Sequence, residues 1–334
     1  MTIYDPTALR RELHEMPELA LNEKRTSAYV AEKLKALGIE THENVGGSTG
    51  VVGIIRGAEP GPVFMLRADM DALPFVIDGK PCCIHACGHD GHTAMLLAAA
   101  SRLKDKIKRG TLKLLFQPAE ETLQGAPVII KAGVIDDVDY ALGAHIRPIQ
   151  DVPAGMLCAA VRHTASTTLT IVIKGRGAHA SRPHLGINAI DAACALMNGI
   201  QAIWLDPKMS WSAKATQIHA DSGATNTVPD LARITYDCRA QTNELMDDLL
   251  AQIRRVAVGT AAAYGAEAEV ILRDQSPACL YDDDFVAEVA DAIKETAGPD
   301  KLAPDCGGGG EDFHNYKLAR PEIKAAYFGV GVGA

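Results

Sequence analysis

The 334-residue chain has no basic tract, no long apolar run and no apolar core near its N-terminus. Lys and Arg number 33 against 42 Asp and Glu, a net charge of −9. Neither nucleic acid nor an anionic membrane surface is therefore expected as a partner, because both require clustered cations. No segment approaches the roughly 20 apolar residues of a bilayer-spanning helix. The opening MTIYDPTALRREL lacks the apolar stretch of a secretory signal. Nor do the eight cysteines read as a disulfide framework. Cys158, Cys194 and Cys238 lie inside apolar segments, as reduced core thiols do, and a cytoplasmic protein is expected. No internal repeat is visible, and low complexity is confined to Gly307 to Gly310.

What is present is a two-part rhythm, in keeping with a length that favours two domains. In the first part, residues 24–37 and 91–104 carry helical spacing, and 126–133 a shorter helix. VVGII (51–55), VFMLRA (63–68), LKLLF (112–116) and YALGAH (140–145) are short apolar runs of the kind buried in a largely parallel sheet. Strands alternating with helices predict a doubly wound α/β domain with a mixed sheet. From about residue 163 the order becomes β-α-β-β-α-β, that of a ferredoxin-like unit. It reads as an insert, since 283–296 returns to a helix followed by a strand. The expected division is residues 1–162 with 276–334 for one domain and 163–275 for the other.

Four constellations could carry chemistry. In IHACGHDGHTAM (84–95), Cys87 and His89 stand two apart just before a helix, a soft and a borderline ligand for Zn or a related ion. His85 and His92 are further candidates whose side chains need not converge with that pair. In LLFQPAEETLQGA (114–126), Glu120 and Glu121 follow a strand at the end where open α/β sheets place their sites. Adjacent carboxylates point in different directions, so one can bind metal while the other acts on a water, as metal-assisted hydrolysis requires. His145 closes the run ALGAH, and Asp69 and Asp71 follow VFMLRA. Each feature alone has an ordinary explanation: a polar loop, an acidic turn, a rim histidine, a capped strand end. All four fall at ends of apolar strands of one sheet, and together they read as a site.

The runs RRELHEMPELALNE (10–23), LRADMDALP (66–74), HACGHDGHTAM (85–95), FQPAEE (116–121) and GAH (143–145) together resemble the M20 metallopeptidase family. The nearest branch is that of amidohydrolases of N-acyl amino acids, hippurate and auxin conjugates. The resemblance implies two divalent ions, Zn or Mn first with Ni or Co also admitted, held by Cys87, His89, Glu121 and His145. It implies Glu120 as the general base that activates a water and later protonates the leaving amine, and Asp71 as an acidic residue steering the site. In the insert, GRGAHASRPH (175–184) resembles the lid motif in which His179 polarises the scissile carbonyl. Asn226 in GATNTVPD and Arg239 in DCRA resemble substrate-side positions, although Arg239 equally suits a structural ion pair.

The implied activity is hydrolysis of the amide bond of an N-acyl amino acid by a metal-activated water, in a homodimer closed over its substrate by a lid. A dipeptidase or carboxypeptidase, an aryl amine deaminase, or a binding protein of the same fold are the alternatives. Retention of both Glu120 and Glu121 speaks against the last of these. Two departures from the family pattern stand out. The segment between DALP and HACGHD is short, FVIDGKPCCI (75–84), and a further family histidine ligand is expected after GGGGEDFHNY (307–316), where His314 does not match its place.

Overall fold

The computed structural model describes residues 3–333. In chain order it runs α1 (Pro6–His14), α2 (Lys24–Ala36), β1 (Glu40–Val45), β2 (Gly50–Arg56), β3 (Glu59–Asp69), β4 (Leu73–Ile77), β5 (Lys80–Ile84), α3 (His89–Leu103), β6 (Arg109–Gln117), α4 (Gly125–Lys131), β7 (Tyr140–Arg147), β8 (Leu157–Cys158) and β9 (Val161–His163). There follow β10 (Ala165–Lys174), β11 (Ala178–His179), α5 (Ala189–Gln201), β12 (Trp211–His219), β13 (Thr227–Val228), β14 (Leu231–Ala240), α6 (Asn243–Ala263) and β15 (Glu267–Ser276). The chain closes with α7 (Asp283–Ala297), β16 (Leu302–Ala303), β17 (Cys306–Gly308), α8 (Asn315–Ala319) and β18 (Lys324–Gly331). It forms two compact units, one taking the chain up to Arg162 and again from Leu280, the other His163–Cys279.

The larger unit is built on an eight-stranded mixed sheet in the order β1-β2-β6-β3-β7-β18-β8-β16. Its centre, β6-β3-β7-β18, is parallel. Consecutive side chains of a strand point to opposite faces, and here both faces are covered. Leu112, Leu114 and Phe116 of β6 pack with Leu13 of α1, Leu34 of α2 and Leu97 of α3. Leu115 packs on the other side with Ile129 of α4 and Tyr316 of α8. This two-sided burial is why the strands read as unbroken apolar runs rather than alternating ones.

The sheet is mixed, as expected, because VVGII forms β2, which pairs antiparallel with both β1 and β6. An unbroken apolar run reports burial on two faces and carries no information on strand direction. The short segment 75–84 contributes to the hairpin of β4 and β5, turned at Asp78 and Gly79, both of which have positive φ. An Asp-Gly pair is the usual signal for such a two-residue turn.

The second unit holds a four-stranded antiparallel sheet in the order β12-β14-β10-β15. Helices α5 and α6 contribute Leu196, Leu249 and Ile253 to a core shared with Leu169, Ile171 and Ile234 of the sheet. Asn188 and Thr242 cap the two helices by accepting from Ile190 N and Leu245 N, which satisfies donors that have no partner inside a helix. Among the described residues no helix is long and apolar enough to cross a membrane, and Cys82, Cys83, Cys87, Cys158, Cys194, Cys238 and Cys306 carry free thiols.

Candidate metal centre

The site grows out of the carboxyl ends of the central parallel strands. β3 ends at Asp69 and delivers Asp71, β6 ends at Gln117 and delivers Glu120 and Glu121, and β7 carries His145. Cys87 lies in the loop ahead of α3, and His89 is the first residue of that helix. Between them Gly88 caps the helix with φ +87°, and a Cβ there would come within 2.2 Å of Ile146 Cδ1. Only glycine adopts that backbone so close to a neighbour without strain.

The turn bearing the two glutamates is pinned at several points. Ala119 has φ +55°, unusual for a residue with a side chain. Its N–H donates to Glu23 Oε1 at 2.9 Å, and Glu23 Oε2 accepts from Thr49. Asp71 acts as a bridge. Its Oδ1 lies 3.1 Å from His89 Nδ1, and its Oδ2 accepts from Glu121 N at 3.0 Å. One carboxylate therefore orients the imidazole of His89 and the backbone of Glu121 together.

With Nδ1 of His89 on Asp71, Nε2 faces inward, 3.8 Å from both Glu120 Oε2 and Glu121 Oε1. Cys87 Sγ lies 3.4 Å from His145 Nε2, while His145 Nδ1 donates to Ile146 O at 2.6 Å. The donor atoms of Cys87, His89 and His145 lie within 4.8 Å of one another, as do those of His89, Glu120 and Glu121. The two groups share His89, so the donors form one continuous set.

Whether these residues suit a metal is answered by two observations. His89 Nε2 and Glu121 Oε1 are buried and have no hydrogen-bond partner. Such atoms are costly to leave unsatisfied, and both point at the same place as Cys87 and His145. The electrostatics agree. Burial works against a charge on His89, but the Asp69 and Asp71 carboxylates outweigh it and hold the imidazole well above its ordinary value. The pocket thus favours positive charge. Burial pushes His145 down to about 3, so it is the neutral imidazole that a ligand must be. Burial raises Cys87, Glu121 and Glu120 alike, with Glu311 adding to the effect on Glu120. Acids whose ionised forms burial disfavours mark a site short of positive charge. The donor set fits a divalent cation.

In the second unit, His179 and Asn226 approach one another, Asn226 Nδ2 lying 3.4 Å from His179 Nε2, where β11 pairs with β13. His179 Nδ1 accepts from Ser181. Arg239 forms a two-pronged pair with Asp237, at 2.9 and 2.8 Å.

Residues without a role in the sequence reading also shape the site. Arg67 is fully buried and donates to Gln117, Tyr327, Asp69, Glu311 and Asp312. His314 is buried beside Tyr281 and Phe313 and belongs to none of the donor groups. Glu23 could have been suspected from its place in the run PELALNE, but its partner Ala119 is distant in sequence.

The chain's relatives carry the same chemistry in their names. Residues 65–334 match the peptidase family M20/M25/M40. A thermostable carboxypeptidase of Saccharolobus solfataricus is 36% identical over 97% of this chain and 84% of its own length. An N-acetylcysteine deacetylase of Bacillus subtilis is 33% identical over 94% of this chain and 85% of its own. A solved B. subtilis structure, described as a dinuclear metal binding peptidase of the M20 family, covers 98% of this chain and 88% of its own with a TM-score of 0.81 at 31% identity. On these matches and the geometry above, the chain belongs to the M20/M25/M40 peptidase family and is a metal-dependent hydrolase.

Proposed function

We propose that the protein hydrolyses the amide bond of N-acyl amino acids, using divalent ions held by Cys87, His89, Glu121 and His145. The observation that carries this reading is the convergence of two unpartnered buried atoms, His89 Nε2 and Glu121 Oε1, beside the carboxylate of Glu120. When bound, such ions supply Lewis acidity and lower the pKa of water. The protein's own groups do the rest. Glu120 takes the proton of the attacking water and returns it to the leaving amine. Asp71 keeps His89 and Glu121 in register through the bonds described above. The second unit, a ferredoxin-like insert, serves as lid and dimerisation domain. His179 donates to the developing oxyanion, and Asn226 and Arg239 hold the substrate, Arg239 exchanging Asp237 for a substrate carboxylate. Zn and Mn suit the mixed thiolate, imidazole and carboxylate set first, Ni and Co after them. Free thiols such as the buried Cys158 and Cys238 suit a reducing, cytoplasmic setting.

A second reading, carboxypeptidase or dipeptidase activity, is favoured by the name of the Saccharolobus relative. It uses the same centre and differs only in the side of the amide that is recognised. Glu120→Gln tests both at once. It should lower kcat by about 10²- to 10⁴-fold, the usual worth of a positioned base, while metal content stays unchanged. A variant that still turned over normally would remove Glu120 from the mechanism. Assay on parallel panels of acyl amino acids and dipeptides decides between the two readings.

A further inference from the structure

His92 lies one turn along α3 from His89, and its donor atom is within 4.8 Å of those of His89 and Asp69. By proximity alone it would count as a ligand, but its hydrogen bonds exclude that. His92 Nδ1 is 2.6 Å from Asp69 Oδ1. Asp69 also takes Arg67 on its other oxygen, and a carboxylate facing a guanidinium is ionised. An ionised carboxylate only accepts, so the hydrogen of this bond sits on Nδ1. The other ring nitrogen, Nε2, lies 2.9 Å from the backbone nitrogen of Ile146. A backbone N–H only donates, so Nε2 presents its lone pair. Both ring nitrogens are engaged, and neither is free for a metal.

The position of Ile146 gives this bond its meaning. The ladder between β3 and β7 stops at the pair Arg67 and Gly143, while β7 continues beside β18 as far as Arg147. Beyond Gly143, His92 takes over as acceptor for a backbone N–H that β3 no longer reaches. Ile146 in turn accepts from His145 Nδ1 through its carbonyl, which leaves His145 Nε2 turned toward Cys87.

We propose that Asp69 and His92 form a positioning relay for His145, in which Asp69 fixes the Nδ1–H tautomer of His92, His92 fixes the Ile146 backbone, and Ile146 fixes the ring that presents Nε2 to the metal. The inference rests on the reading of His145 as a ligand. Its logic is that of second-layer partners of metal ligands, whose loss costs about 10- to 100-fold in affinity.

Two measurements test it. Long-range ¹H–¹⁵N spectra of the metal-free wild-type protein at neutral pH report the tautomer of each histidine. The signals of His92 are identified by their loss in His92→Gln. The expected result is a neutral ring protonated at Nδ1, and an Nε2–H tautomer or an imidazolium overturns the relay. Calorimetric titration with Mn²⁺ then compares the wild type with His92→Leu, His92→Gln and Asp69→Asn, with thermal melting of each metal-free protein alongside. His92→Leu removes both bonds. Asp69→Asn offers an amide that must turn a donor toward either Arg67 or His92. Both should bind Mn²⁺ about 10- to 100-fold more weakly. His92→Gln, whose amide keeps one donor and one acceptor, should lose less. Unchanged Mn²⁺ affinity in a folded His92→Leu overturns the relay. A wild-type chain that bound no Mn²⁺ would overturn the ligand reading beneath it, and the tautomer spectrum would still decide the relay on its own.

Discussion

Replacing Arg67 by Met leaves a deficit that the structure allows one to size. The guanidinium is fully buried and faces three carboxylates, Asp69, Glu311 and Asp312, which are themselves at most 1% exposed. It also donates to Gln117 Oε1 at 2.9 Å and Tyr327 Oη at 3.2 Å. Met fills a similar volume, so the cavity contribution is small and the loss is that of the guanidinium's charge and its hydrogen bonds. Removing one member of a buried pair costs about 3–5 kcal/mol, because the remaining charge is left uncompensated. For units of this size each kcal/mol shifts Tm by about 2–4 °C, so Arg67→Met should melt roughly 6–20 °C below the wild type at neutral pH. The pH dependence has a definite sign. Without Arg67, Asp312, which burial already pushes up to about 7, rises further above its value in the unfolded chain, while Asp69 keeps its contacts with His92 and His89. The deficit is then full at neutral pH and shrinks as pH falls toward about 4, where the unfolded carboxyls also take up protons. Arg67→Lys should fall between the two, since one ammonium cannot replace a fork with several partners. Thermal melts followed by circular dichroism at neutral and acidic pH are the assay. A Tm for Arg67→Met within about 3 °C of wild type at neutral pH, about 1 kcal/mol, or a deficit that grew on acidification, would refute the reasoning.

Two other substitutions separate backbone from ligand effects. Gly88→Ala should cost about 1–2 kcal/mol in urea unfolding for its left-handed backbone alone. It should also weaken metal binding, because the added methyl displaces Ile146; a neutral result in both measurements would show that this loop is not under constraint. Asp71→Asn sets an amide donor against either His89 or Glu121 N. It should lower metal affinity about 10- to 100-fold with little change in melting temperature, and equal affinity would remove Asp71 from its bridging role.

Much of the site was legible because polar residues that end buried strands have few other reasons to be there. Glu121 and His145 come at the ends of apolar runs that a parallel sheet brings together, whereas Cys87 and His89 follow the separate β4–β5 hairpin at the start of α3, so the expectation that all four constellations end strands of one sheet holds only in part. The sheet's composition was legible for the same reason, but the direction of β2 was not, since Val51, Val52 and Ile55 are buried on two faces whichever way the strand runs. What stayed hidden is what depends on partners distant in sequence. Nothing local marks Arg67 as the counterion of Glu311 and Asp312, which lie more than 240 positions away. His92 illustrates the converse. Its spacing marked it as a ligand candidate, and only the positions of Asp69 and Ile146 show that both its nitrogens are engaged elsewhere.

Metal analysis coupled to activity tests the central claim most directly. The protein is stripped with chelator, reloaded with Zn²⁺ or Mn²⁺, and assayed for bound ion and for hydrolysis of N-acyl amino acids. The account predicts that ions bind, that hydrolysis rises with occupancy, and that Cys87→Ala and Glu121→Gln lose both together. A chain that binds neither ion and hydrolyses nothing in their presence, or one that hydrolyses equally well after stripping, would contradict it.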